Sequence, residues 1–173
     1  MSLLVLGLAV TVSALVVGWL LIAKDGSSPT PPANSGPAIV SREQLDRFAA
    51  SLDHPLYWAG SKPGYSYELT SSHGRAWLRY LPAGVKAGDP RASFLVVGTY
   101  ALPDAFAGLK RVAKSPTSVS RSIADGGLLV YDAQRPTSVY FSYPGVKYQV
   151  EVYAPSAQDG RALVLEREIT PVR

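Results

Sequence analysis

The apolar and polar positions of this chain fall into three successive rhythms. Residues 3 to 23, LLVLGLAVTVSALVVGWLLIA, run for 21 positions without a charge. At ~1.5 Å rise per residue that helix matches the ~30 Å hydrocarbon core of a bilayer, so residues 1–24 are predicted to be a transmembrane anchor touching lipid through 3–23. A proline-rich, uncharged stretch follows, GSSPTPPANSGPA, which makes residues 25–40 an extended, semi-rigid linker. From Ser41 onward, short segments of helical period and of strict alternation replace one another at intervals typical of a folded domain.

Ser41 with Gln44 reads as a capping box, with Val40 and Leu45 at the staple positions. Leu45, Phe48, Ala49 and Leu52 then follow the i, i+3, i+4, i+7 spacing, which predicts a helix over 41–52 that ends at His54-Pro55. Strand rhythm comes next, at Leu56 to Ala59, Tyr65 to Thr70 and Arg75 to Leu81, separated by turns at Ser61-Lys-Pro-Gly64 and Ser71-Ser-His-Gly74. The nearly all-apolar run Ser93 to Leu102 reads as a central strand. Asp104 is placed to cap a second helix with Phe106, Leu109, Val112 and Ala113 on one face, ending at Pro116. Gly127–Asp132, Ser138–Ser142, Val146–Ala154 and Arg161–Glu168 all have strand character.

Laid side by side, the two meanders look like copies. Leu56-Tyr-Trp-Ala59 matches Val139-Tyr-Phe-Ser142, Pro63-Gly64 matches Pro144-Gly145, Tyr67-Glu-Leu69 matches Tyr148-Gln-Val150, and Gly74-Arg-Ala76 matches Gly160-Arg-Ala162. The expected fold class is therefore α+β: an N-terminal transmembrane helix, then one domain, 41–173, with a mostly antiparallel sheet and two helices, internally duplicated as helix-plus-meander repeats 41–102 and 103–173. Both helices are expected on one face of the sheet. The strands Ser93–Leu102 and Gly127–Asp132 are expected at the junction, where a ligand cleft would form.

Two features support an anchor over a cleaved leader. No basic residue precedes the apolar run, and bulky Leu21 sits where a cleavage site after Ala23 wants a small residue. The chain has no cysteine, which excludes lipid attachment through a thiol, disulfides, thiol nucleophiles and Cys-rich metal sites together. For orientation, Lys24 alone favours a cytoplasmic domain, whereas the spacer suits a domain lifted from the outer surface. The chain is thus read as a single-pass cell-membrane protein with its C-terminal domain extracytoplasmic. The alternative is a membrane-proximal regulator facing the cytoplasm.

The domain's charge is modestly basic but uneven. Between Arg75 and Arg121 eight basic residues stand against Asp89 and Asp104. In Arg75-Ala-Trp77-Leu-Arg79-Tyr80, alternation puts Arg75, Trp77 and Arg79 on one sheet face, and Lys110, Arg111 and Lys114 share the polar side of the second helix. These six residues are the candidate surface for a partner protein or an acidic envelope polymer. Arginine–aromatic interleaving also suits nucleic acid, which ranks lower for an anchored chain than stacking on sugar rings.

Catalytic chemistry finds little purchase. The two histidines, His54 at a helix end and His73 in a turn, have no evident nucleophile or metal partner. Glu68, Asp132 and Glu151 are the carboxylates that a hydrolase or transferase would have to bring together. Asp125-Gly-Gly127 lacks the further glycines and lysine of a phosphate cradle. No catalytic, cofactor-binding or metal-binding residue is assigned.

Finally, the phrases Asp53-His-Pro-Leu-Tyr-Trp-Ala-Gly60, Tyr65-Ser-Tyr-Glu-Leu69, Arg79-Tyr-Leu-Pro82 and Val97-Gly-Thr-Tyr100 resemble uncharacterised, singly membrane-anchored proteins of high-GC Gram-positive bacteria. The resemblance covers most of the chain from Ser41. It carries no activity to transfer. The function expected from the residues is a membrane-tethered, non-enzymatic binding module, with a carboxylate-based envelope hydrolase or transferase as the alternative.

Overall fold

Strand pairing begins at Ser35, six residues before the expected start of the domain at Ser41. The computed structural model describes residues 35–172, so the apolar run 3–23 and most of the linker lie outside the described residues. Among the described residues no helix is long and apolar enough to cross a membrane. The elements in chain order are β1 (Ser35–Val40), α1 (Arg42–Ala50), β2 (Tyr57–Trp58), β3 (Tyr65–Ser72), β4 (Arg75–Pro82), β5 (Val96–Ala101), α2 (Ala105–Val112), β6 (Ser118–Ser122), β7 (Leu128–Asp132), β8 (Arg135–Ser142), β9 (Tyr148–Tyr153), α3 (Ala157–Leu165) and β10 (Thr170–Pro171).

Eight strands form one antiparallel sheet in the order β1-β3-β4-β5-β9-β8-β7-β6, and β2 pairs with β10 in a separate ribbon. The α+β class and the antiparallel sheet agree with the sequence reading, with three α-helices rather than two. End-of-linker residues 35–40 are edge strand: Val40, Ile39 and Ala38 pair with Tyr67, Glu68 and Leu69, and the register slips between Ser35 and Ala38. Pro37 falls inside that irregularity, where a residue without an N–H costs the ladder nothing and blunts the free edge.

Alternation sorts the sheet into two faces. Leu69, Ala76, Leu78, Tyr80, Val97, Leu129, Val139, Phe141, Val150 and Val152 line the first face, which α1 covers with Leu45 and Phe48 and α3 with Val164. Fully burying side chains of this size contributes roughly 1.5–3 kcal/mol each. At α1 the capping box is present as read: Ser41 Oγ accepts from the Gln44 N–H at 3.2 Å and Gln44 Oε1 from the Ser41 N–H at 2.8 Å.

Several expectations are corrected. Arg161–Glu168 is not a strand: most of it belongs to α3, which Ser156 caps and in which Gly160 and Val164, one turn apart, face the core. Gly160-Arg-Ala162 therefore lies within a helix, while its supposed counterpart Gly74-Arg-Ala76 opens β4. Likewise Leu56–Ala59 supplies the ribbon strand β2 and Val139–Ser142 belongs to β8 of the main sheet. The matched phrases do not mark equivalent elements. The sheet does divide into two sets of four neighbouring strands, β1-β3-β4-β5 and β9-β8-β7-β6, that meet at β5 and β9, but β1 precedes the first repeat, and α1 lies between strands of its set while α2 and α3 flank the strands of theirs.

β5 is central as expected, whereas β7 is one strand from the edge, because β6, too polar to read as a strand, pairs outside it. Asp104 makes no side-chain cap, and Val112 of α2 is 55% exposed. α2 does not share a face with the other helices. It touches β7, β8 and β9, and on those strands Val130 and Ser142, which point away from the main core, are buried.

Candidate functional site

Cross-strand register builds the second face in rows. One row reads Thr70, Trp77, Gly98, Glu151, Tyr140, Val130 across β3-β4-β5-β9-β8-β7, and a second reads Glu68, Arg79, Val96, Tyr153, Ser138. A third brings Arg75 beside Tyr100 and Gln149. Rows on one face lie ~7 Å apart along the strands.

The β4 side of this face is closed by the loop between β4 and β5. Glu68, only 1% exposed, accepts from Arg79 Nη1 at 2.7 Å and from the Gly88 N–H at 2.5 Å. Arg79 also donates to the carbonyls of Asp89, at 2.8 Å, and Arg91, at 3.2 Å, and its guanidinium lies 5.0 Å from the centre of the Phe94 ring. The Arg91 guanidinium and N–H hold the Asp89 carboxyl at about 2, below its usual range. The far side is bounded by α2. Between loop and helix the chain leaves Thr70, Trp77, Tyr100, Tyr140, Gln149 and Glu151 half-buried.

Glu151 is the hub of that strip. Ser138 Oγ and Tyr140 OH donate to Oε1 at 2.8 and 3.0 Å, and Tyr100 OH donates to Oε2. Trp77 Nε1–H donates in turn to the Tyr100 hydroxyl at 3.0 Å. Gly98 makes this possible: a Cβ there would sit 2.7 Å from the Tyr100 hydroxyl, so only glycine lets the ring lie back along β5 between Trp77 and Glu151. Burial, and then the negative charge of Glu151, push Tyr100 well above the ordinary tyrosine value and Tyr140 up to about 12. Both phenols stay neutral donors at physiological pH.

The six residues singled out from sequence have three different fates. Trp77 lies in the strip and Arg75 is exposed at the end of the hairpin beside it. Arg79 is on the same face but is committed to Glu68 and the loop, so it clamps the fold and is removed from the contact surface. Lys110, Arg111 and Lys114 are exposed on α2 and line a shallow depression of about 230 Å³ with Ala107. Tyr100, Ser138 and Tyr140 were not singled out. Gly98 and Tyr100 on one face of an apolar strand was the available signal, but their meeting with Glu151 depends on a register 51 residues away.

The three carboxylates of the hydrolase reading stay apart. Glu68 and Glu151 lie on strands separated by β4 and β5, roughly 14 Å at ~4.8 Å per strand spacing, and Asp132 accepts from the Gln134 N–H at 2.7 Å in the β7–β8 turn. His54 packs on Tyr148 with its Nδ1 3.1 Å from the Pro55 carbonyl, and His73 forms the β3–β4 turn at φ 48°. Among the described residues no three His, Cys, Asp or Glu side chains gather as a metal site.

A groove of about 590 Å³ runs between residues of the two halves, lined by Tyr65 and Phe94 on one side and Ser156 and Asp159 on the other, with Lys62 Nζ 3.9 Å from Glu168. Ser156 Oγ is occupied as the α3 cap, accepting the Asp159 N–H at 3.3 Å. The groove offers apolar walls and mixed charge without a nucleophile–base pair.

Comparison with known proteins finds no matching family model, curated protein or solved structure.

Proposed function

We propose that the chain is a membrane-tethered, extracytoplasmic binding module whose second sheet face contacts an acidic envelope polymer. The reading is carried by one observation: an aromatic, polar strip between the β4–β5 loop and α2, the helix that packs on β7, β8 and β9 and whose Lys110 and Arg111, with Lys114 just beyond it, are exposed. Half-buried aromatics favour stacking on sugar rings, and a basic helix beside them favours an anionic chain. Arg79 is dropped from the contact set because its donors are used. The wide separation of Glu68, Asp132 and Glu151 favours binding over acid–base chemistry, which needs two carboxyls within about 5–9.5 Å in the glycosidase pattern.

Residues 3–23 serve as the tether, and the uncharged proline-rich stretch after them supports an outward-facing head. The test uses the full-length chain in nanodiscs of zwitterionic lipid, titrated with polygalacturonate. Binding is expected at low salt, weakening as salt rises and by at least tenfold in Lys110→Ala/Arg111→Ala/Lys114→Ala. Absence of binding, or indifference to the triple substitution, overturns the reading. Because the native sequence has no cysteine, a single cysteine placed at the exposed Gln134 reports the side of the membrane, and labelling by an impermeant maleimide on intact cells is expected.

A further inference from the structure

We infer that Glu151 anchors a separate subsite for an organic cation, an alkylammonium group carried by the ligand. The two glutamates on the second face set up the contrast. Glu68 is neutralised by Arg79 at 2.7 Å, whereas Glu151 has no ion pair among the described residues. Its carboxylate is held instead by the neutral donors Ser138, Tyr140 and Tyr100. A carboxylate has about four lone-pair positions. Three are taken, two on Oε1 and one on Oε2, which leaves one on Oε2 and no cation paired with the charge.

Two cations close in the strand register do not supply the match. Arg135, which bears on Tyr140, lies 3.8 Å from Asp132, and Arg75 is exposed one row away, opposite Tyr100. Aromatic rings stand close to Glu151: Tyr100 and Tyr140 reach it through their hydroxyls, and Trp77 packs edge-on to Tyr100 with ring centres 5.8 Å apart. Aromatic faces attract an ammonium through the ring quadrupole, and a fixed carboxylate among them gives that attraction a direction. A divalent metal would want several oxygen or nitrogen ligands, and Glu151 stands alone among hydroxyls. A singly charged, partly apolar cation suits one carboxylate flanked by rings.

This subsite shares the aromatic strip with the proposed polymer surface but uses none of the α2 cations, so the triple α2 substitution separates the two. A ligand carrying amino groups along an acidic backbone would engage both.

The test is ¹⁹F NMR of the full-length chain in nanodiscs with 5-fluorotryptophan at its three tryptophans, the Trp77 signal being identified by Trp77→Phe. Trp77 reports directly because its indole N–H bonds the hydroxyl that bonds Glu151. Titration with n-butylammonium chloride is expected to move that signal saturably, with a midpoint in about the millimolar range, while n-butanol and sodium chloride leave it in place. Glu151→Gln is expected to abolish the response, and the triple α2 substitution to retain it while losing polygalacturonate. No saturable shift below about 100 mM, an equal shift with n-butanol, or a response surviving in Glu151→Gln overturns the subsite. Should Glu151→Gln not fold, the butylammonium-to-butanol comparison on the unaltered chain decides the same point.

Discussion

Arg79 shows how a residue's type and position can be read correctly while its role is not. Alternation put it on the open face of the sheet, and it is there, but Glu68 opposite it on β3 and the carbonyls of the β4–β5 loop take up its donors. Removing one member of a buried pair leaves the other charge uncompensated. Arg79→Ala is therefore expected to cost about 3–5 kcal/mol in denaturant unfolding, and the double change Arg79→Met/Glu68→Leu to recover most of it. Gly98 makes the complementary case. Its backbone accepts alanine, so the strain of Gly98→Ala falls on the Tyr100 ring, 2.7 Å from the added carbon. The variant is expected to fold with a loss of about 1–3 kcal/mol and a displaced Trp77 ¹⁹F signal. An unmoved signal would mean that Tyr100 does not occupy that position.

At the scale of elements, local grammar was a good guide where the signal was complete within a few residues. The capping box of α1 needs only Ser41 and Gln44, and both hydrogen bonds are formed. α3 escapes the local pattern because Ala162 to Leu165 is a short continuous apolar run, as a buried strand would be, while the helical spacing of Gly160 and Val164 carries no large apolar residue at its first position. That glycine is also a place to strengthen the helix. A Cβ at 160 would meet Ala154 Cβ at 3.4 Å and Val139 Cγ2 at 3.8 Å, ordinary contacts. Gly160→Ala is expected to raise stability by about 0.5–1 kcal/mol, read as a higher denaturation midpoint at unchanged slope.

The molecule as a whole carries a tyrosine-borne sensitivity to alkali. Burial first, and then neighbouring phenols or Glu151, lift Tyr57 and Tyr100 well above the usual value of 10; burial likewise lifts Tyr80 and takes Tyr140 to about 12. A group whose pKa is raised on folding keeps its proton longer in the folded chain than in the unfolded one, so its stabilisation is complete below the unfolded pKa and is lost as pH rises. Thermal unfolding is therefore expected to show no tyrosine-linked loss below about pH 10 and a falling midpoint between about pH 10 and 12. In the same window the folded chain should develop less tyrosinate absorbance than its ten tyrosines would in the unfolded state.

By itself the sequence determined the properties that depend on near neighbours: the length of the apolar run, the α+β class, most strand positions, the cap of α1 and the absence of thiol chemistry. Tertiary structure decided what depends on distant ones. Strand order, the entry of Ser35–Val40 into the sheet and the row that brings Trp77, Gly98, Glu151 and Tyr140 together all rest on register, and one residue of slip would turn each of those side chains to the other face. Local patterns specify which faces are apolar, but the choice of partner strand is made by the core as a whole, and the Glu151 hub exists only once that choice is made.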